Sequence, residues 1–199
     1  MVYICEDILD FDIEKALRLV SDERRAKVLS YRFEIDRRQS LAAYLLLMQA
    51  LRREYGIATA PAFAYGDNGK PTLPDHPDIH FNLSHCRKGV ACAIGDHPIG
   101  IDIEEITDVD WEVARHISND GQLRAIATSV DPRQAFSTLW TTKESLLKFT
   151  GEGLCDNLAG LELKGYTFSH YTTRDYVCTT CRKEGPEPRV VVQSMLMQY

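Results

Sequence analysis

The sequence predicts an α+β fold, and three observations lead to it. Apolar residues recur at three- and four-residue steps between residues 41 and 55, which is the spacing of an amphipathic helix. Short segments rich in Val, Ile, Cys and Ala follow between residues 79 and 104 and are typical of strands. The same order, helical spacing and then alternating segments, returns between residues 108 and 197. Helices followed by strands, twice over, indicate α+β architecture.

Capping residues predict where the helices begin and end. We expect the first third of the chain to be helical, with Ser21 as an N-cap and Gly56 ending the long helix. Asp131 followed by Pro132 predicts the start of another helix, which closes at Gly151.

Turn residues separate the predicted strands. The strands are expected at residues 79–83, 90–94 and 99–104, after a turn signal at 67–69. Two or three further strands are expected between residues 161 and 197, with a turn at 185–188 between the last two.

The second block of helices and strands begins near Gly100. We therefore divide the chain into an N-terminal half, residues 1–99, and a C-terminal half, residues 100–199. An internal duplication is suggested by element order alone, since no residue-level repeat accompanies it.

Charge and hydropathy argue against two kinds of partner. The 199 residues carry a net charge of −6, whereas general nucleic-acid binding needs a basic face. The longest apolar stretch, residues 41–51, is too short to span a bilayer. The acidic first ten residues lack the basic start of a signal peptide, so we expect a cytoplasmic protein. The densest basic stretch, residues 24–38, would suit a phosphate-rich small molecule or form a solvated helix face.

The cysteines predict neither disulfides nor zinc. Their spacings form no framework, and in a reducing compartment we expect free thiols. Cys178 and Cys181 form the one C-x-x-C pair. A zinc ribbon needs a second pair, and residues three apart on the expected strand face opposite sides.

Two carboxylates share one face of the strand expected at residues 99–104. Asp102 and Glu104 project from one side, while Ile101 and Ile103 project from the other. Adjacent carboxylates repel each other unless a cation or a proton lies between them. With a phosphate substrate, the pair would suit Mg²⁺. The pair by itself is more typical of a strand with one wet face.

Two further groups of residues allow both a structural and a chemical interpretation. Glu144 and Lys148 are four apart, which stabilises an exposed helix. Alternatively, Glu144 completes a metal site and Lys148 offers its charge to a phosphate. Ser84 and His85 end a strand with polar groups that bind either phosphate oxygens or local backbone. Lys70 lies on a turn, where a lysine is usually solvated.

Taken together, these motifs resemble the 4'-phosphopantetheinyl transferase superfamily, in particular the long, monomeric, surfactin-synthetase-activating type. The order and spacing of four motifs carry the resemblance. The motifs are Asn68-Gly69-Lys70-Pro71, Phe81-Asn82-Leu83-Ser84-His85, Gly100-Ile101-Asp102-Ile103-Glu104, and the run from Trp140 through Glu144 and Lys148 to Leu154.

The resemblance implies two similar α+β halves related by a pseudo-twofold axis, with coenzyme A in the cleft between them. It implies that Asp102, Glu104 and Glu144 hold Mg²⁺ against the coenzyme A pyrophosphate. Lys148 is expected to contact the phosphate and assist the leaving group.

The resemblance also implies which residues bind the donor. Lys70, Ser84 and His85 are expected to contact the coenzyme A phosphates and adenosine region. Arg38, or its neighbour Arg37, is expected to help hold the 3'-phosphate.

The implied reaction moves 4'-phosphopantetheine from coenzyme A to a serine hydroxyl of an apo acyl or peptidyl carrier protein and releases 3',5'-ADP. Glu144 is the implied base, directly or through a water. The implied protein is a monomer that acts on its carrier without nucleic acid or membrane. Two alternatives remain open: a non-catalytic module that binds coenzyme A or a carrier, and a metal-dependent phosphohydrolase that uses the same three carboxylates.

Overall fold

The computed structural model describes residues 1–6, 8–66, 68–153 and 157–193, which form helices and strands as follows. The helices are α1 (Ile13–Leu17), α2 (Asp22–Ser30), α3 (Glu34–Tyr55), α4 (Trp111–Ile117), α5 (Asp120–Ala127) and α6 (Pro132–Thr150). The strands are β1 (Val2–Cys5), β2 (Ala64–Tyr65), β3 (Pro71–Thr72), β4 (His80–Cys86), β5 (Gly89–Gly95), β6 (Gly100–Glu105), β7 (Thr167–Thr172), β8 (Tyr176–Arg182) and β9 (Val190–Gln193). The predicted α+β class is confirmed.

The strands form two larger sheets and one short hairpin. The first sheet has the order β4-β5-β1-β9, and the second has the order β6-β8-β7. Neighbouring strands are antiparallel, except that β1 and β9 run parallel, with Val2 opposite Val190. Strands β2 and β3 pair as a hairpin. A strand from late in the chain therefore completes the sheet that the first strand begins.

Side chains that alternate between the two faces of the first sheet divide the core into two clusters. Tyr3 and Cys5 of β1 pack with Val90 and Cys92 of β5 in a cluster that also contains the buried face of α3. The intervening residues of both strands face the opposite side of the sheet, because successive side chains of a strand alternate.

The second cluster joins the two sheets. Val2 and Ile4 pack against Ile101 and Ile103 of β6, and Cys178 of β8 belongs to the same cluster. Ile101 and Ile103 therefore project into the core between the sheets, as the alternation in the sequence predicted. Asp102 and Glu104 are left for the other face of β6.

Helix α6 lies directly against the backbone of β6 at Gly100. A Cβ atom built on Gly100 would lie 2.0 Å from the carbonyl oxygen of Ser145 and 2.6 Å from the backbone nitrogen of Phe149. No side chain fits between atoms at these distances. Because residue 100 is a glycine, the helix can approach the strand closely enough to bring its side chains beside those of β6.

The caps and turns agree with most of the sequence predictions. The side chain of Ser21 caps α2, Asp131 caps α6, and Gly56 and Gly151 end their helices in the left-handed conformation. The expectation of a helical first third is wrong at β1 (Val2–Cys5). That strand is only four residues long and buried on both faces, so it shows no alternation.

Three smaller predictions can also be compared with the structure. Cys178 and Cys181 lie on one strand, β8, and both are buried free thiols. The 185–188 turn falls between β8 and β9, while residues 67, 154–156 and 194–197 lie outside the described part of the chain. Within the described ranges, no helix combines the length and apolar character needed to cross a membrane.

The contact at Gly100 predicts a large effect of one methyl group. Gly100→Ala is expected to lower the free energy of unfolding by about 3 kcal/mol, because α6 must move away from β6. Urea denaturation of the purified variant measures this change. Gly95→Ala is the matched control, since the added Cβ meets no described heavy atom within 4 Å. Equal urea midpoints for the two variants would show that α6 is not held by this contact.

Candidate active site

An ion pair between α6 and β6 lies at the centre of the site. Lys148 Nζ donates to Asp102 Oδ1 at 2.6 Å, and only 4% of the Asp102 side chain is exposed. Removing one partner of such a buried pair leaves the other charge without compensation, which is strongly destabilising. The pair therefore ties the position of the helix to that of the strand.

Ser84 of β4 forms hydrogen bonds with both members of this ion pair. Its Oγ donates to Asp102 Oδ1 at 2.8 Å and accepts from Lys148 Nζ at 2.8 Å. The backbone nitrogen of Ile103 also donates to Ser84 Oγ, at 3.3 Å. The edge of the first sheet is thus joined to the edge of the second at this point.

Two carboxylate oxygens near the pair are buried without a hydrogen-bond partner. They are Asp102 Oδ2 and Glu144 Oε1. Buried polar atoms are nearly always paired in proteins, so an unpaired one calls for an explanation such as an ion or a ligand. Carboxylate oxygens are the donors that Mg²⁺ prefers.

The pKa values of Glu144 and Glu104 lie above their ordinary values. Burial, followed by the charge of Asp102, raises the pKa of Glu144 above its ordinary value. Burial is also the main reason that the pKa of Glu104 rises to about 7, with Asp102 and Glu144 adding to the effect and Lys148 opposing it. A positive charge among these three groups would relieve the repulsion.

The three carboxylates do not form a closed set of ligands as the side chains lie. Among the residues that the structure describes, no group of three or more His, Cys, Asp or Glu side chains has an arrangement that could hold a metal ion. The donor chemistry nevertheless fits Mg²⁺, because two of the carboxylates have unpartnered buried oxygens and all three are coupled by charge.

A cavity of about 310 Å³ opens beside this cluster. Glu144 and Lys148 of α6 line one side, and Asn82 of β4 and Lys70 of the preceding turn line another. Asn82 Nδ2 donates to the carbonyl of Lys148 at 3.3 Å, which links β4 to the end of α6. The described lining of the cavity therefore includes residues of three of the four motifs, those at 68–71, 81–85 and 140–154.

Lys70 lines the cavity, whereas His85 is absent from its described lining. Lys70 Nζ donates to the carbonyl of Phe149 at 2.7 Å, and burial lowers the pKa of its ammonium. His85 follows Ser84 on β4 and is exposed, although desolvation and then the charge of Lys148 lower the pKa of its ring. The neutral imidazole offers one donor and one acceptor.

The structure places Arg38 away from this cavity. Its Nε donates to Glu34 at 2.9 Å, and one terminal nitrogen donates to the carbonyls of Leu9 and Phe11. Arg38 is absent from the described lining of the cavity. These contacts hold α3 to the segment after β1, and the role expected for Arg38 in binding a phosphate stays a prediction.

Arg24 and Lys27 form a second basic site, within the stretch 24–38 that would suit a phosphate-rich small molecule. They line a small cavity together with Tyr65, and Arg24 Nε is buried without a partner. Tyr65 is paired with Pro71 in the β2–β3 hairpin, and Pro71 lines the larger cavity. The hairpin thus separates the two cavities. The one signal in the sequence was the density of basic residues between 24 and 38, which named no individual side chain.

Lys143, which precedes Glu144, has a different environment. Its Nζ donates to the carbonyls of Ile117 and Leu158, both at 2.6 Å, and to Gln122 Oε1 at 3.1 Å. Only 1% of the residue is exposed. This lysine joins α6 to the α4–α5 junction and takes no part in the cavity, so neighbouring motif residues serve different purposes.

Two protein-family models match consecutive parts of the chain. A family model described as the 4'-phosphopantetheinyl transferase superfamily matches residues 98–188. A second, described as the N-terminal part of a 4'-phosphopantetheinyl transferase, matches residues 9–96. These two matches meet close to Gly100, where the second block of helices and strands begins.

Three curated relatives extend the comparison. The 4'-phosphopantetheinyl transferase psf-1 of Bacillus pumilus is 35% identical over 150 residues, which cover 74% of this chain and 64% of the relative. The 4'-phosphopantetheinyl transferase Sfp of Bacillus subtilis (strain 168) is 30% identical over 156 residues, covering 77% and 70%. The Saccharomyces cerevisiae L-aminoadipate-semialdehyde dehydrogenase-phosphopantetheinyl transferase is 27% identical over 182 residues, covering 84% and 67%.

The aligned segment spans just under two thirds of psf-1 and slightly more than two thirds of Sfp. The chain belongs to the 4'-phosphopantetheinyl transferase superfamily, which confirms the resemblance stated from its motifs.

The raised pKa of Glu104 predicts a pH-dependent stability. Between the ordinary value of 4.5 and about 7, the folded protein binds this proton more tightly than the unfolded chain, so stability falls as the pH rises. The free energy of unfolding of Glu104→Gln, relative to that of the unmodified protein, is expected to rise by on the order of 2 kcal/mol from pH 5 to pH 8. Urea unfolding in EDTA at the two pH values measures the gain.

The control for this experiment lies one residue along the strand. Glu105→Gln removes a carboxylate that pairs with Lys88 at 3.7 Å, and it is expected to keep the pH dependence of the unmodified protein. A Glu104→Gln variant with that same pH dependence would show that burial does not hold the Glu104 proton.

Proposed function

We propose that this protein transfers the 4'-phosphopantetheine group of coenzyme A to a serine hydroxyl of an apo acyl or peptidyl carrier protein, with release of 3',5'-ADP. One observation carries the proposal: the unpartnered carboxylate oxygens of Asp102 and Glu144 lie with Lys148 beside a cavity that Lys70 also lines. Anionic ligands for a cation and cationic groups for a phosphate then stand side by side. A magnesium-bound diphosphate would satisfy both.

We propose that coenzyme A binds between two similar halves, residues 1–99 and 100–199, related by a pseudo-twofold axis. In support, α3 packs on the first sheet and α6 on the second, and the cavity has residues from both parts of the chain. Strand β9 (Val190–Gln193) crosses back to the first sheet, so this division describes architecture and does not mark a covalent boundary between independent domains.

Asp102, Glu104 and Glu144 would hold Mg²⁺. When bound, the ion supplies charge neutralisation for the pyrophosphate as the bond to the leaving group breaks. This assignment is supported by the unpartnered oxygens of Asp102 and Glu144, and by the raised pKa of Glu104, to which burial contributes most and the charges of Asp102 and Glu144 add.

Lys148 and Lys70 would bind phosphate oxygens. An ammonium has three donors, and Lys148 uses one toward Asp102 and one toward Ser84 while its side chain lines the cavity. Lys70 uses one donor toward Phe149, which leaves two. His85, on β4, would donate to a phosphate oxygen. For the 3'-phosphate, Arg24 is a second candidate beside Arg38, because its Nε has no hydrogen-bond partner.

Glu144 would act as the base. The serine oxygen forms a bond to the phosphorus that carries the pantetheine arm, and the bond from that phosphorus to the bridging oxygen of 3',5'-ADP breaks. The hydroxyl proton passes to the Glu144 carboxylate. Burial and the charge of Asp102 raise the pKa of this carboxylate, whereas a neighbouring cation would favour its charged form, so the proton passes to Glu144 directly or through a water. Lys148, beside the leaving group, would stabilise the negative charge that develops there.

The carrier protein is the proposed macromolecular partner, and we propose a monomeric, cytoplasmic enzyme. A monomer follows from the proposed architecture, because each half already has its counterpart within the chain. No role for nucleic acid or membrane is proposed, in line with the net charge of −6.

The proposal is tested by intact-mass analysis of an apo carrier protein incubated with this protein, coenzyme A and Mg²⁺. The carrier is expected to gain roughly 340 Da, the mass of one phosphopantetheine group. EDTA should abolish the gain, and Asp102→Ala should slow it by about 100-fold or more. The matched control is Glu105→Gln, which removes a carboxylate on the same strand that pairs with Lys88, and it should keep the rate.

Other outcomes would favour the two alternatives. Cleavage of coenzyme A without any carrier would indicate a metal-dependent phosphohydrolase. Tight binding of coenzyme A, with no mass gain across acyl and peptidyl carriers, would indicate a non-catalytic binding module.

A further inference from the structure

The ammonium group of Lys143 is buried outside the cavity beside Lys148, and all of its donors are used. An ammonium has three donors. Those of Lys143 reach the carbonyls of Ile117 and Leu158, both at 2.6 Å, and Gln122 Oε1 at 3.1 Å. Only 1% of Lys143 is exposed, and the residue is absent from the described lining of that cavity. These bonds therefore lie outside the space that a bound donor would fill.

The three acceptors of Lys143 are all neutral. A charge is costly to bury unless it is fully hydrogen-bonded, and here no donor of the ammonium is left over. Hydrogen bonds from a charged donor are roughly twice as strong as those between neutral groups. The ammonium accordingly holds its three acceptors more firmly than a neutral donor would. Its charge serves to fix other segments of the chain in place.

The acceptors of Lys143 belong to three different segments. Ile117 is the last residue of α4, where carbonyl groups lack partners within the helix and the helix dipole favours a cation. Gln122 lies in the first turn of α5, and its side chain also accepts from the backbone nitrogen of Asn119. Leu158 follows α6 in the chain and packs in one apolar cluster with Ile117. Lys143 therefore ties both α4 and α5 to α6.

A second cavity, of about 240 Å³, borders the carboxylates on the side of α4. Its lining includes Glu104 of β6, Val113 of α4, and Phe136 and Trp140 of α6. Glu104 lines this second cavity, whereas Glu144 lines the first. The proposed metal ligands thus face two cavities, and α4 forms part of the wall of the second.

The two cavities differ in charge. Lys70 and Lys148 line the first, whereas the charged residues in the described lining of the second are Glu104, Glu105 and Asp110. Phosphate groups therefore suit the first cavity. In phosphoryl transfer the attacking and leaving oxygens lie roughly in line, on opposite sides of the phosphorus. If 3',5'-ADP leaves from the first cavity, the carrier serine approaches from the side of the second, where α4 lies.

We propose that Lys143 is a positioning residue for the acceptor, which holds α4 and α5 where they contact the carrier protein and takes no part in binding coenzyme A. The inference deepens the proposed function and rests on it, since the carrier is the proposed acceptor. Lys143 and Lys148 then act on different sides of α6. Lys148 joins the helix to β6, and Lys143 joins it to α4 and α5.

Kinetics with each substrate varied in turn test the proposal. Lys143→Met keeps an unbranched side chain of similar length but removes all three donors. Its KM for the apo carrier protein is expected to rise about tenfold, because displaced helices weaken carrier binding. Its kcat and its KM for coenzyme A are expected to stay within about twofold of those of the unmodified protein. A general structural defect would change all three values.

Hydrogen–deuterium exchange of the amides of α4 and α5 tests the same contacts without turnover. In Lys143→Met these amides are expected to exchange about tenfold faster, while those of α3 keep their rates. Leu46→Ala is the matched control for lost stability, since it truncates a buried side chain in the cluster between α3 and the first sheet. This control should keep the KM for the carrier.

A second variant serves if Lys143→Met does not fold. Gln122→Ala removes one of the three acceptors and should raise the KM for the carrier in the same direction, by about threefold.

Two results would overturn the inference. One is an unchanged KM for the carrier in the folded variants, and the other is unchanged exchange in α4 and α5. Failure of the proposed function is a separate result, in which the unmodified protein leaves an apo carrier unmodified. The exchange measurement would still show whether Lys143 holds the two helices.

Discussion

The contact between α6 and the backbone of Gly100 is the constraint on which the site depends. Because residue 100 has no side chain, the helix lies against β6, and Lys148 reaches the carboxylate of Asp102 two residues along the strand. Glu144 lies one turn earlier on the same helix and faces the same cavity. A side chain at position 100 would separate the helix from the strand and leave a buried carboxylate without its ammonium, at a high cost in free energy.

The charge balance of the site follows from that contact. Burial and the charge of Asp102 raise the pKa values of Glu104 and Glu144, and Lys148 is the cation that opposes the effect on both. Such a cluster is less stable than the same volume filled with apolar side chains. A stability cost of this kind is common where charged groups are kept for binding or catalysis. The neutral core beneath, built from Ile101 and Ile103, supports the strand that carries these charges.

Local patterns predicted much of the fold and the site. The alternation of Ile101, Asp102, Ile103 and Glu104 correctly predicted which side chains enter the core, because a strand has a fixed period of two. The caps at Ser21 and Asp131 were equally local and are confirmed. The order of the motifs supplied the family, since each motif alone also had an ordinary structural interpretation.

Features that depend on contacts between distant segments were not predicted. Strand β1 was missed because both of its faces are buried, and its neighbour β9 lies far along the chain. The bonds made by Ser84 depend on how the two sheets meet, which no spacing in the sequence encodes. The contacts of Arg38 are a further example, because the basic stretch does not show that Nε and one terminal nitrogen donate to Glu34 and to the carbonyls of Leu9 and Phe11.

The pairing of β1 with β9 also has a consequence for how the protein is made. The first strand lies between β5 and β9 in its sheet, so one of its two edges stays uncovered until residues 190–193 have left the ribosome. An exposed strand edge can pair with other chains. Folding of the first sheet is therefore completed only after the second sheet has been synthesised. The protein should acquire its native state late and cooperatively, and a nascent chain stalled before β9 would carry a sheet edge open to association.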